Sequence, residues 1–251
     1  MLRYGLTSLI LTFATLHAAD NLPIGGISHV GFRVADLDKT RAFYTDVLGF
    51  QQAFDQKDAA GKPNLAVFKI NEEQFLEFSP GAGDRFTHIA FLTDKLESLR
   101  QLIDTLGLSP PELRTGRDRT RNFSIKDPDG HRVEFVSYEA DSMHAQARGK
   151  FADDRRISKH LDRVGFAIDD RNRAIAFFHG QLGFVEKDGL LHPASAPADH
   201  VELLSRGAAS QFYLDVPDVE KAMQTLRQRG LTGDAIVDPD GMPIHLKTAS
   251  R

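Results

Sequence analysis

Two histidine–glutamate pairs at nearly equal spacing carry the chemistry this sequence offers. His29 and Glu77 are 48 residues apart, and His88 and Glu134 are 46 apart. Each glutamate lies inside an apolar triple, Leu76-Glu77-Phe78 and Val133-Glu134-Phe135. Successive strand residues point to opposite faces, so each carboxylate projects away from its apolar neighbours. Packed about a two-fold axis, the two pairs converge on one point. Two imidazoles and two carboxylates suit an octahedral divalent transition metal (Ni, Co, Zn, Mn or Fe) with positions left for a ligand. Convergent buried carboxylates also require a cation, because an unpaired buried charge is costly. A single histidine on a strand more often serves a hydrogen bond. The repeated spacing singles out His29, Glu77, His88 and Glu134 as metal ligands.

The second half of the chain departs from this pattern. Arg163 and Gln211 stand where the histidines stood, and Glu202 and His245 stand where the glutamates stood. Arginine has no lone pair to give, so no metal is expected there, and Arg163 is expected to pair with Glu202. Arg114, Arg117, Arg119 and Arg121 form a basic loop cluster. Guanidinium forks suit carboxylates and phosphates, which makes these four candidates for holding an anionic substrate. His131 follows an Asp-Gly turn and reads as an exposed turn residue. No glycine-rich phosphate loop, nucleophile elbow or dinucleotide fingerprint is present.

The elements that must position these residues recur four times. The strands begin around Ile27, Asp84, Leu161 and Ser210, each rich in β-branched and aromatic residues. A segment with apolar residues three and four apart follows each, which predicts helices over 37–48, 95–106, 171–182 and 219–226. Gly49, Gly107, Gly183 and Gly230 come next, where a helix end favours a left-handed residue. Further strands complete each unit, and the turns Asp127-Pro128-Asp129-Gly130 and Asp238-Pro239-Asp240-Gly241 precede the last strands of units two and four. The unit reads β-α-β-β-β.

A βαβββ unit with His near the start of its first strand, Leu-Gly-Phe after its helix and a DPDG turn before its last strand resembles the vicinal oxygen chelate superfamily. That group includes glyoxalase I, extradiol dioxygenases, methylmalonyl-CoA epimerase, fosfomycin resistance enzymes and bleomycin-binding proteins. The resemblance covers residues 27–138 closely and 161–248 less closely. It implies an α+β fold of four modules paired into two open, curved mixed sheets. It also implies that the positions matched by His29, Glu77, His88 and Glu134 are metal ligands, as in glyoxalase I. The chemistry implied is that of a lyase or isomerase on a small oxygenated metabolite, with Glu77 or Glu134 as the catalytic proton carrier. An extradiol-type dioxygenase using iron at His29, His88 and Glu134 is one alternative. A binding protein without turnover, like the bleomycin-sequestering members, is another.

Composition bounds the remainder. The 251 residues are 41% hydrophobic and 26% charged, with a net charge of −4. A mildly acidic chain without a basic block does not suit nucleic acid, and the expected partner is a small-molecule substrate, with the chain a monomer or homodimer. The absence of cysteine excludes disulfide scaffolds, thiolate metal sites and cysteine nucleophiles. Arg3 followed by an apolar run over 5–16 and small residues at Ala18-Ala19 predicts a signal peptide at 1–19 and a periplasmic or secreted protein. That run is too short to hold a mature chain in a bilayer, and outside the cytoplasm a glutathione adduct is a doubtful substrate. The expected organisation is a first domain at 20–138, a charged linker at 139–160 and a degenerate second domain at 161–251.

Overall fold

The computed structural model describes residues 22–249; the apolar leader lies outside them. Unit one is β1 (Ile27–Val34), α1 (Leu37–Ala42), β2 (Gln51–Lys57), β3 (Pro63–Lys69) and β4 (Phe75–Pro80). Unit two is β5 (Phe86–Leu92), α2 (Leu96–Thr105), β6 (Arg114–Thr115), β7 (Arg121–Lys126) and β8 (Arg132–Ser137). A short helix, α3 (Met143–Gln146), lies in the connecting segment. Unit three is β9 (Leu161–Ala167), α4 (Arg171–Ile175), β10 (Val185–Lys187), β11 (Leu190–His192) and β12 (His200–Leu204). Unit four is β13 (Gln211–Val216), α5 (Val219–Gln228), β14 (Ile236–Val237) and β15 (Pro243–Thr248), with two strands after its helix where three were expected.

Units one and two form a single eight-stranded mixed sheet, ordered β2-β3-β4-β1-β5-β8-β7-β6. Units three and four form a seven-stranded sheet, ordered β10-β11-β12-β9-β13-β15-β14. In each, the first strands of the two units pair antiparallel at the centre, and the last strand of each unit lies parallel outside its own first strand. This is the α+β architecture of paired modules.

The acidic turns after β1, β9 and β13 cap helices. The Asp36, Asp170 and Asp218 side chains accept backbone N–H bonds at the starts of α1, α4 and α5. The helices of units one and three, α1 and α4, each widen into a π-helical turn, Phe43–Val47 and Ala176–Gln181. That widening lets Tyr44, Leu48 and Phe50, and likewise Phe178, Leu182 and Phe184, all reach the core.

The two sheets share one core. Phe86 stacks on Phe166 at 4.7 Å, and Phe32 meets Phe212 at 6.0 Å. Val30, Leu76, Ile89, Val133 and Phe135 line this apolar face of the first sheet. The DPDG turns bind reciprocally across the join. Asp240 accepts the Ala35 N–H at 2.8 Å, and Asp129 accepts the Asp169 N–H at 3.1 Å. Arg85 reaches across to the buried Asp238 carboxylate at 2.8 Å.

Candidate metal centre

Strand register assembles the site on the other face of the first sheet. Gly31 on β1 lies between Glu77 on β4 and His88 on β5. Two residues earlier, His29 lies opposite Ala90, which in turn lies opposite Glu134 on β8. Directly opposed residues share a face, as do residues two apart on one strand, so all four side chains rise from one surface. Gly31 and Ala90 between them leave space above the sheet. A Cβ on Gly31 would lie 2.2 Å from His88 Cε1 and 2.4 Å from Nδ1. Gly31→Ala is therefore expected to swing the His88 ring aside, lowering stability by about 1–3 kcal/mol and weakening metal binding. Thermal melting and metal titration of the variant check this; native-like values in both would contradict it.

Both histidines are aimed by the hydroxyl of the preceding residue. His29 Nδ1 bonds Ser28 Oγ at 3.0 Å, and His88 Nδ1 bonds Thr87 Oγ1 at 2.9 Å. Ser28 Oγ is itself bonded to the Tyr138 hydroxyl at 2.7 Å. Each ring therefore turns Nε2 inward. His29 Nε2 is 3.9 Å from Glu77 Oε1, and His88 Nε2 is 3.7 Å from Glu77 Oε2. These separations are too long for hydrogen bonds.

Protonation fits the spacing. Burial, reinforced by the positive charges of Arg132 and Arg114, pushes His88 down to about 3. Burial and the neighbouring His88 hold His29 well below its ordinary value. Burial, with the negative charge of Asp118, pushes Glu77 up to about 8. The metal-free cluster is thus two neutral imidazoles and a neutral carboxyl, with no ion pair among them. The His88 Nε2 is buried without a hydrogen-bond partner. Buried polar atoms are nearly always satisfied, so this cluster has the donors of a cation site and lacks the cation's charge.

Not every expected residue joins the cluster. Glu134 lines the same cavity of about 310 Å³, but its carboxylate is engaged by Arg132. The basic loop divides. Arg114 and Arg117 line the cavity. Arg119 pairs with Asp141, and Arg121 pairs with Glu97. His131 is held by Asp127 at 2.8 Å in its own turn.

Two residues not singled out by the repeat also approach Glu77. His144 on α3 places Nε2 3.7 Å from Glu77 Oε1, and its Nδ1 lies 3.3 Å from Asp118 Oδ2. Burial pushes Asp118 up, but contact with His144 and hydrogen bonds from Thr120 outweigh it and hold the carboxyl below its ordinary value.

The equivalent positions of the second sheet are paired among themselves. Arg163 lies 3.5 Å from Glu202 and stacks over Tyr213 at 4.3 Å. Gln211 donates to Glu202 at 3.2 Å and bonds His245 Nε2 at 3.1 Å.

Residues 26–135 match the family described as the Glyoxalase/Bleomycin resistance protein/Dioxygenase superfamily. The first sheet belongs to that superfamily. Among curated relatives, the lactoylglutathione lyase of Schizosaccharomyces pombe is 28% identical over 198 residues, 66% of this chain. The match spans 62% of that relative's length. Among solved structures of the superfamily fold, the Mn(II)-bound glyoxalase of Novosphingobium aromaticivorans superposes with a TM-score of 0.69 at 20% identity, covering 89% of this chain and 82% of that one. Homoprotocatechuate 2,3-dioxygenase of Brevibacterium fuscum, solved with 3,4-dihydroxyphenylacetate, gives 0.67 at 17% identity, covering 93% and 83%. These likenesses cover both sheets and show a shared fold. No helix among the described residues is long and apolar enough to cross a membrane.

Proposed function

We propose that the chain is a metal-dependent lyase or isomerase of glyoxalase type, acting on a small oxygenated metabolite. The observation that carries this reading is the convergence of His29, Glu77 and His88, buried and neutral, with their donor atoms mutually within reach of one ion. A divalent cation held there supplies Lewis acidity toward adjacent substrate oxygens. The protein's own residues do the rest. Glu77 and Glu134 both line the cavity, where a carboxylate can take up or release a substrate proton. Arg114 and Arg117 offer guanidinium forks to a carboxylate or phosphate on the substrate. A cavity of about 310 Å³ suits a small molecule. The apolar leader over 5–16 supports export.

Elemental analysis of protein from its native host, purified without chelators, tests both readings. The expected result is about one transition metal per chain, lost in His29→Ala and retained in Glu202→Gln, on a chain that starts near Ala19 or Asp20. Absence of metal even after reconstitution would overturn the metalloenzyme and leave a binding protein. An intact Met1 would overturn export.

A further inference from the structure

The cavity holds an imidazole that the internal repeat does not supply. His144 is fully buried, stacked on Tyr138 at 4.6 Å and bounded by the edges of Phe75 at 4.7 Å and Phe54 at 4.9 Å. Neither of its ring nitrogens has a hydrogen-bond partner. Inside this apolar box only the Asp118 carboxylate, 3.3 Å from Nδ1, offers polar relief, and Nε2 is left without a partner, which is costly. One nitrogen faces Glu77 and the other faces Asp118, at the 3.7 Å and 3.3 Å given above. A carboxylate behind one nitrogen, with the other aimed at an ion, is the usual setting of a metal-bound histidine.

We propose that His144 is a ligand of the same cation as His29, Glu77 and His88, with Asp118 positioning its ring. The centre then holds three imidazoles and one carboxylate, and Glu134 stays with Arg132. This rests on the cation reading of the site. Metal–nitrogen bonds of about 2.1 Å put the ring centroids of two imidazoles on one ion about 4.5 Å apart at right angles and about 6.4 Å apart when opposed. The His29–His88 and His29–His144 separations, 5.0 and 5.8 Å, fall in that interval, and Glu77 is shared by the two donor groups His29–Glu77–His88 and Glu77–Asp118–His144.

The surroundings fix His144 from three sides. Ser142 Oγ caps α3 by accepting the Ala145 N–H. Met143 N–H donates to the Asp118 carbonyl at 2.8 Å, which ties α3 to the β6–β7 hairpin. The buried Lys69 ammonium donates to the Ala147 and Lys150 carbonyls at 2.7 and 2.9 Å. On the hairpin side, Asp118 Oδ1 accepts from Thr120 Oγ1 at 2.9 Å, which leaves Oδ2 for His144.

The test is X-ray absorption of the Co(II)-loaded full chain, read for imidazole scattering, together with Co(II) titrations. Native protein is expected to show three imidazoles. His144→Gln is expected to show two and to bind Co(II) at least 10–100-fold more weakly, with Glu202→Gln native-like in both. Asp118→Asn is expected to keep three imidazoles while weakening Kd about 10–100-fold, a combination that a general loss of structure would not produce. Two imidazoles in native protein, or a Kd unchanged in His144→Gln, overturns the proposal and leaves the cation reading intact. The native count decides the matter even if His144→Gln does not fold. Failure of native protein to bind Co(II) overturns both.

Discussion

Glu77→Gln is expected to reverse its effect on stability when metal is added. In the metal-free protein, Glu77 keeps its proton until about pH 8, whereas the unfolded chain releases it near 4.5. Between those values the native state holds one proton more than the unfolded state, so rising pH draws stability away. Each unit of that interval is worth about 1.4 kcal/mol, so this one side chain removes several kcal/mol by pH 8. The glutamine variant has no such proton and escapes the loss. Without metal it should therefore be the more stable protein at pH 8, and its advantage should shrink as pH falls toward 4.5. His29 and His88 act in the opposite sense and equally in both proteins. They are neutral when folded and protonate near 6.5 when unfolded, so both proteins lose stability as pH falls below 6.5. Saturating metal inverts the ranking. A ligand at a thousand times its Kd adds about 4 kcal/mol to native protein, and the variant, having lost a ligand, gains far less. Loss of a group that merely orients a ligand costs about 10–100-fold in affinity, and loss of the ligand itself costs more. Denaturant melts of both proteins at pH 5 and pH 8, with chelator and with Co(II), read all four values. Parallel pH profiles in chelator would refute the buried neutral carboxyl.

Asp238→Asn is expected to cost about 3 kcal/mol through the join between the sheets. Asp238 has no exposed side-chain surface, and it takes the Arg85 guanidinium of the other sheet at 2.8 Å and the Tyr44 hydroxyl at 3.5 Å. Its other oxygen accepts the Asp240 and Met242 N–H groups and shapes its own turn. Asparagine keeps the turn but removes the charge, leaving the mostly buried Arg85 with the Asp240 carboxylate 3.8 Å away. Breaking a buried pair from one side costs about 3–5 kcal/mol, and the quarter-exposed Arg85 places this case at the low end. Removing both charges leaves no unpaired ion, so Arg85→Met combined with Asp238→Asn, which keeps the turn's acceptor, should recover much of the loss. Urea unfolding of the singles and the double measures this cycle. A single-variant loss below 1 kcal/mol would mean that this ion pair contributes little to the join.

The repeat made most of the fold and half of the site legible in the sequence. Spacing alone placed His29, Glu77, His88 and Glu134 on one face, because strand register preserves sequence offsets between equivalent units. The hydroxyl before each histidine, Ser28 and Thr87, is a repeated signal for ring orientation. The hold of Arg132 on Glu134 is also readable, since residues two apart on a strand share a face. His144 was not accessible in this way. It lies in a segment with no counterpart in the other units, and Lys69, 75 residues earlier, brings that segment over the sheet. Asp118 was hidden among arginines, and only the closed hairpin shows that it turns inward. The two π-helical turns have no local signature of their own; the need to bury three core side chains per helix produces them.

Arg163 gives the second sheet a permanent internal counter-ion. Its guanidinium stands at the position that His29 holds in the first sheet, faced by Glu202 and lying against the Tyr213 ring. A guanidinium stays charged at any physiological pH and cannot be chelated or exchanged. The second half is therefore electrostatically self-sufficient at these positions. Because the two halves share a core, the first sheet packs against a neighbour whose own charges are already paired.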